Sequence, residues 1–168
     1  MIRRFIFGMV ISIGLLVVQS TWLSAIAILD VKPDLSLLFI VFLAFKNPSP
    51  QGQATGFLTG IFQDGMSASP LGLSAFIKTA VAWAFNLFSG KFYIDRIFIP
   101  FLFGFIATIA KALTNGFLVV LFSGRLSAYD PFSYRLWIEA AYNALAAPLL
   151  FLLLAPIERF LLPKEKHT

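Results

Sequence analysis

The sequence predicts an all-α integral membrane protein of six transmembrane helices, the second and third of them short, forming a single transmembrane domain over residues 1–168. Three observations lead there. The chain is 59% hydrophobic and 12% charged, with 20 Phe among its 168 residues. A water-soluble domain of this size cannot hide that much apolar surface, so the bilayer is its solvent. Polar turns then cut the apolar stretches into six segments. Finally, the basic residues sort by side. With the N-terminus inside, the inner face receives Arg3, Arg4, Lys46, Lys91, Arg96, Arg159, Lys164 and Lys166, and the outer face only Lys32, Arg125 and Arg135. This positive-inside bias puts both termini in the cytoplasm. It also explains the net charge of +5, which in a soluble protein would suggest nucleic acid.

The first helix follows Arg3 and Arg4 as an apolar run of about 25 residues from Phe5, long enough to cross a ~30 Å core. Two arginines ahead of such a run also describe a signal peptide, but the run is long for one and no small-x-small site follows. It is read as an uncleaved helix. Gln19, Ser20 and Thr21 lie towards its outer end, where three polar residues suggest contact with protein or water. Asp30-Val31-Lys32-Pro33-Asp34 is a tight turn, with Pro33 suited to the first turn of helix two and Asp34 favourable near its positive end.

Helices two and three, residues 33–45 and 51–63, flank Lys46-Asn47-Pro48-Ser49-Pro50. At 1.5 Å per residue each is roughly 20 Å long, short of a full span. They either recruit flanking residues or turn inside the protein. Helix four runs over about residues 71–89, helix five over about 97–122 and helix six over about 133–161, with prolines at 148 and 156. The polar loops between them carry Lys91, Asp95 and Arg96, then Arg125, Asp130 and Pro131.

Helix three is the most specific stretch. Gly52, Gly56 and Gly60 recur every four residues and so share one face, which admits a neighbour at backbone distance. The spacing does not say whether that neighbour is internal or a partner's helix, internal packing being the more frequent answer. Bulk at the central Gly56 is expected to act most strongly.

Lys111, mid-way along helix five, is the most costly residue in lipid, at about 2.5–3.5 kcal/mol on insertion scales. It has two readings: a functional one, with a partner carboxylate, a bound anion or a proton path, and a structural one, an ion pair with Glu139 of helix six. Lys78, about two turns inside the outer face, either snorkels or meets Asp64 at the end of helix three. Two lysines and two acids, Asp64 and Glu139, make a neutralised buried network to which Asn115 and Asn143 add on the same faces.

Catalytic chemistry finds little support. The chain has no Cys, which excludes disulfides, thiol catalysis and cysteine metal sites. Its one His, His167, falls in the polar tail. Tyr129-Asp130 lacks the Gly-x-Gly-Asp of an intramembrane aspartyl protease. Asp64-Gly65 lacks the Ala-Arg and later aspartates of a lipid phosphotransferase. Phosphate loops and metal-ligand spacings are absent from the sequence, so neither a cofactor nor an enzyme activity is expected.

Taken in order, Gln19-Ser20, Pro33-Asp34-Leu35, Gly52-x-x-x-Gly56-Phe57-x-x-Gly60, Asp64 and Ser69-Pro70-Leu71-Gly72-Leu73-x-Ala75-Phe76 resemble the rod-shape-determining MreD family. These motifs cover about a quarter of the chain, while length, helix count and topology agree throughout. The resemblance implies a non-catalytic scaffold of the bacterial inner membrane within the cell-elongation machinery. Implied partners are MreC, the peptidoglycan synthase pair and MreB. It also implies a fold like that of the substrate-binding subunits of energy-coupling-factor transporters. That fold supplies an alternative function, a vitamin-like binding subunit docking on an energising module. Pro33, Asp34, Gly52, Gly56, Gly60, Asp64 and Gly72 are then the helix-packing or partner-binding positions.

Overall fold

The computed structural model describes residues 2–23, 27, 29, 31–47, 49–67, 69–89, 97–122 and 133–161. Among them the regular structure is helical: α1 (Ile2–Thr21), α2 (Leu35–Lys46), α3 (Gln51–Met66), α4 (Leu73–Asn86), α5 (Phe98–Leu121) and α6 (Tyr134–Leu154). A 3-10 turn, Ala155–Ile157, then leads into the short α7 (Glu158–Leu161). The expected positions Asp30, Pro48, Lys91, Asp95, Arg96, Arg125, Tyr129, Asp130, Pro131, Lys164, Lys166 and His167 lie outside the described residues.

The bundle is built around α2. Residues 36–45 are all buried, and α1, α3, α4, α5 and α6 each pack against it. The sequence of α2, LSLLFIVFLAFK, is apolar on nearly every face, which suits enclosure on all sides as well as contact with lipid. Its phenylalanines lock neighbours edge-on: Phe42 meets Phe151 of α6 at 5.0 Å, and Phe45 meets Phe103 of α5 at 4.5 Å. Phe103 also meets Phe85 of α4 at 5.3 Å. Between helices in lipid, such van der Waals fit and polar contact replace the hydrophobic drive.

Three stretches are long and apolar enough to cross a membrane: Ile2–Thr21, Phe98–Leu121 and Tyr134–Leu161. Helix α2, at 12 residues, reaches only about 18 Å and α4, at 14, about 21 Å. Two sequence expectations are corrected here. Helix one ends at Thr21, well before Leu29, at the polar Gln19-Ser20-Thr21, whose Ser20 and Thr21 hydroxyls donate to the Val17 carbonyl at 2.9 and 2.8 Å and weaken the helical ladder there. Helix four is five residues shorter than the 71–89 stretch: two are lost at its start, set by Gly72 in the left-handed conformation (φ 96°), and three at its end, where residues 87–89 tighten into turns. Pro148 sits inside α6, whereas Pro156 falls in the 3-10 turn that ends it.

One end of the bundle gathers the start of α1, the end of α2, the start of α3, and α7. Gln51 donates to the carbonyls of Arg4 (3.4 Å) and Leu161 (3.3 Å), and Lys46 pairs with Glu158 at 2.9 Å. The opposite end joins α1 to α2 through Gln19 and Ser36, and α3 to α4 through Asp64.

Candidate functional site

Because α2 is short, its first turn ends at the level of side chains well inside α5 and α6. A helix start leaves its first N–H groups without internal partners, and lipid supplies none. The chain therefore brings polar groups to that point. Asp34, the N-cap, accepts from the Leu37 N–H at 3.1 Å and from the Ser36 hydroxyl at 2.9 Å. The Asp34 N–H donates to Asn143 Oδ1 of α6 at 2.7 Å, and the Ser36 N–H to Gln19 Oε1 of α1 at 3.1 Å. Asn143 in turn donates to Thr108 of α5 at 2.9 Å. Pro33 stands one residue before the cap and not in the first helical turn as expected, because Asp34 takes the capping position.

Charge gathers on the same carboxylate. Lys111 Nζ lies 3.1 Å from Asp34 Oδ2 and 2.6 Å from Glu139 Oε1. Lys78 Nζ donates to Ser36 Oγ and lies 3.9 Å from Asp34 Oδ1. Two lysines and two acids thus form one balanced cluster spanning α2, α4, α5 and α6. The expected Lys111–Glu139 pair is present, but the second acid is Asp34, not Asp64. Lys78 does not snorkel: its side chain is 3% exposed, against 23% for Lys111. Asn115 is buried on α5, and its side-chain oxygen accepts no hydrogen bond.

Asp64 does other work. Its carboxylate accepts from the Gly72 N–H at 2.8 Å and the Ser74 N–H at 3.1 Å, so a residue of α3 caps α4. An acid at that positive helix end is favourable, and the bridge fixes the short α3–α4 connection. The glycine face lies against α2 at its start and α4 at its end. A methyl group at Gly60 would overlap Cα and N of Ala75 on α4; at Gly52 it would come within 2.8 Å of Ala44 Cα on α2. At Gly56 it would stand 3.2 Å from the Lys78 carbonyl oxygen and 3.3 Å from Ile40 Cγ2. The close contact is therefore internal, and the tightest position is Gly60 and not the central Gly56. The reason is that α3 and α4 converge towards their Asp64-capped junction.

Two contributors went unread in the sequence. Ser36 links Lys78 to Asp34, and Gly104 of α5 sits so close to the Asn143 carbonyl of α6 that a Cβ there would overlap it. Their signals were a serine in the first turn of a largely apolar helix and a glycine seven residues before Lys111 in the same helix.

The family model described as rod shape-determining protein MreD matches residues 1–157 of this chain. The chain belongs to the MreD family. No curated protein and no solved structure matches it. MreD proteins are shape-determining structural proteins of the bacterial inner membrane and are not known as enzymes. In this MreD chain the free space beside Asp34, Lys78, Lys111 and Gln63 is about 20 Å³. That is room for about one water molecule. The polar centre of this MreD chain is a compact network that joins α1, α2, α4, α5 and α6.

Proposed function

We propose that this chain is a non-catalytic scaffold of the cell-elongation machinery that holds MreC in the inner membrane, next to the peptidoglycan synthase complex and MreB. The observation that supports it is the closure of the polar centre. Every charge in it faces an opposite charge within 3.9 Å, and the space left does not admit a metabolite. Buried charges of this kind fix which helices meet and in what register, as a rigid platform for another protein requires. The alternative, a vitamin-binding subunit of the energy-coupling-factor type, gains nothing from that centre. An open space of about 690 Å³ between α4 and α5 is lined by apolar residues such as Leu71, Phe76, Phe117 and Leu121. It offers none of the placed polar groups that orient a small ligand.

The test is genetic. In a rod-shaped host carrying this chain as its only copy, depletion should give rounded cells, and no supplemented vitamin should restore them. Rescue by a single nutrient would sink the scaffold reading. Depletion that leaves rods would do the same.

The same reading places Arg3, Arg4, Lys46 and Arg159 on the cytoplasmic side. Supporting it, the starts of α1 and α3 and the ends of α2 and α7 share one end of the bundle. With no native Cys, single cysteines report topology directly. Positions 3, 91 and 166 should label only after the membrane is opened, and positions 32 and 125 from outside. Outside labelling at position 91 would overturn this layout.

A further inference from the structure

At the Arg4–Leu161 end of the bundle, the first turns of α1 and the short α7 border a groove of about 870 Å³. Its apolar wall is Ile6, Phe7 and Val10 of α1 with Phe160 of α7; Phe7 and Phe160 meet edge-on at 6.2 Å. Its polar wall is Arg3, Arg4 and Arg159. We propose that this groove holds one anionic phospholipid, its phosphate between the three arginines and an acyl chain along Phe7, Val10 and Phe160. The inference is independent of any role in cell shape.

Charge complementarity carries it. None of the three arginines has an ion-pair partner among the described residues, and the nearby acid, Glu158, is held by Lys46 at 2.9 Å. Arg3 and Arg4 occupy the first turn of α1, which contains no acidic residue. Cations are unfavourable at that positive helix end, so an anion there relieves two costs at once. The Arg159 guanidinium lies 4.8 Å from the Phe160 ring centroid, which keeps it at the groove. Depth agrees as well. Helix α1 spans 20 residues, about 30 Å, so its first turn stands at headgroup level while Ile6 and Val10, both exposed, face the acyl region. Basic pockets between transmembrane helices take anionic headgroups for these reasons. The planar guanidinium fork suits a phosphate better than a lysine does.

Native mass spectrometry of the full chain in a neutral detergent tests this, with dioleoylphosphatidylglycerol, dioleoylphosphatidylcholine and glycerol phosphate titrated separately. Phosphatidylglycerol should bind as a single adduct and on the order of 100-fold more tightly than phosphatidylcholine, three cations each contributing about fivefold. Arg159→Gln, placed after the last long helix so that topology is already set, should weaken it about fivefold. Arg159→Lys should keep most of the affinity. Phe160→Ala should weaken binding of the phospholipid more than that of glycerol phosphate. Equal retention of the two lipids would overturn the proposal, as would full phosphatidylglycerol binding by the Arg159→Gln chain. Glycerol phosphate competing as well as the phospholipid would also overturn it, since the apolar wall would then contribute nothing.

Discussion

Asp34→Ala is expected to cost about 3–5 kcal/mol, the largest loss in the polar centre, because it leaves the buried Lys78 and the half-buried Lys111 facing one acid. It also removes the cap that accepts from the Leu37 N–H and Ser36 hydroxyl, worth about 1 kcal/mol more. Glu139→Gln should be milder, since Lys111 keeps Asp34 at 3.1 Å. Lys111→Met should fall between them, stranding two acids on Lys78. Pairing it with Glu139→Gln restores charge balance as Asp34 and Lys78, so the double variant should recover part of the loss. Thermal unfolding in detergent measures all four. Additive losses for Lys111 and Glu139 would mean that they do not interact directly, and an Asp34→Ala chain as stable as the parent would remove the cluster from any account of stability.

Much of this architecture can be read from periodicity and breakers. The six apolar stretches became α1 to α6, and the turn at Lys46-Asn47-Pro48-Ser49-Pro50 separates α2 from α3. What the sequence hides is depth. An apolar helix enclosed on all sides and one facing lipid have the same composition, so nothing in LSLLFIVFLAFK says that α2 is the centre of the bundle. Asp34 for that reason reads only as an acid favourable at the positive end of helix two, whereas the short α2 carries it inward to Lys111 and Lys78. The same gap affects Asp64: the sequence offers it to Lys78, yet the bare N–H groups of Gly72 and Ser74 hold its carboxylate at 2.8 and 3.1 Å. The lysine at 111 was legible because its cost in lipid demands a carboxylate wherever one is in reach.

Gly60→Ala, the addition of one methyl group, is expected to destabilise the chain more than Gly56→Leu would have been thought to do from spacing alone. The atoms in its way are the backbone N and Cα of Ala75 and the carbonyl carbon of Ser74, none of which can rotate aside. Either α3 and α4 separate or the Asp64 cap on Gly72 and Ser74 breaks. Overpacking of this kind typically costs about 1–3 kcal/mol, and backbone contact puts this site at or above the upper end. Gly52→Ala, 2.8 Å from Ala44 Cα, should follow, and Gly56→Ala should be the mildest because its neighbours at 3.2 and 3.3 Å need to give only a few tenths of an ångström. Gly56→Leu should still exceed Gly56→Ala, its longer side chain pushing against Ile40 and the Lys78 carbonyl. Gly116 of α5 has nothing within 4 Å, so Gly116→Ala serves as the control and should gain up to about 1 kcal/mol from helix propensity. An Ala75→Gly change added to Gly60→Ala should rescue nothing, since deleting the Ala75 methyl leaves the overlapping backbone in place. Thermal unfolding in detergent orders the variants, and co-purification of MreC shows whether loss of fit carries through to the proposed partner. A Gly60→Ala chain that unfolds at the parent's temperature and still retains MreC would refute the close α3–α4 contact and its role together.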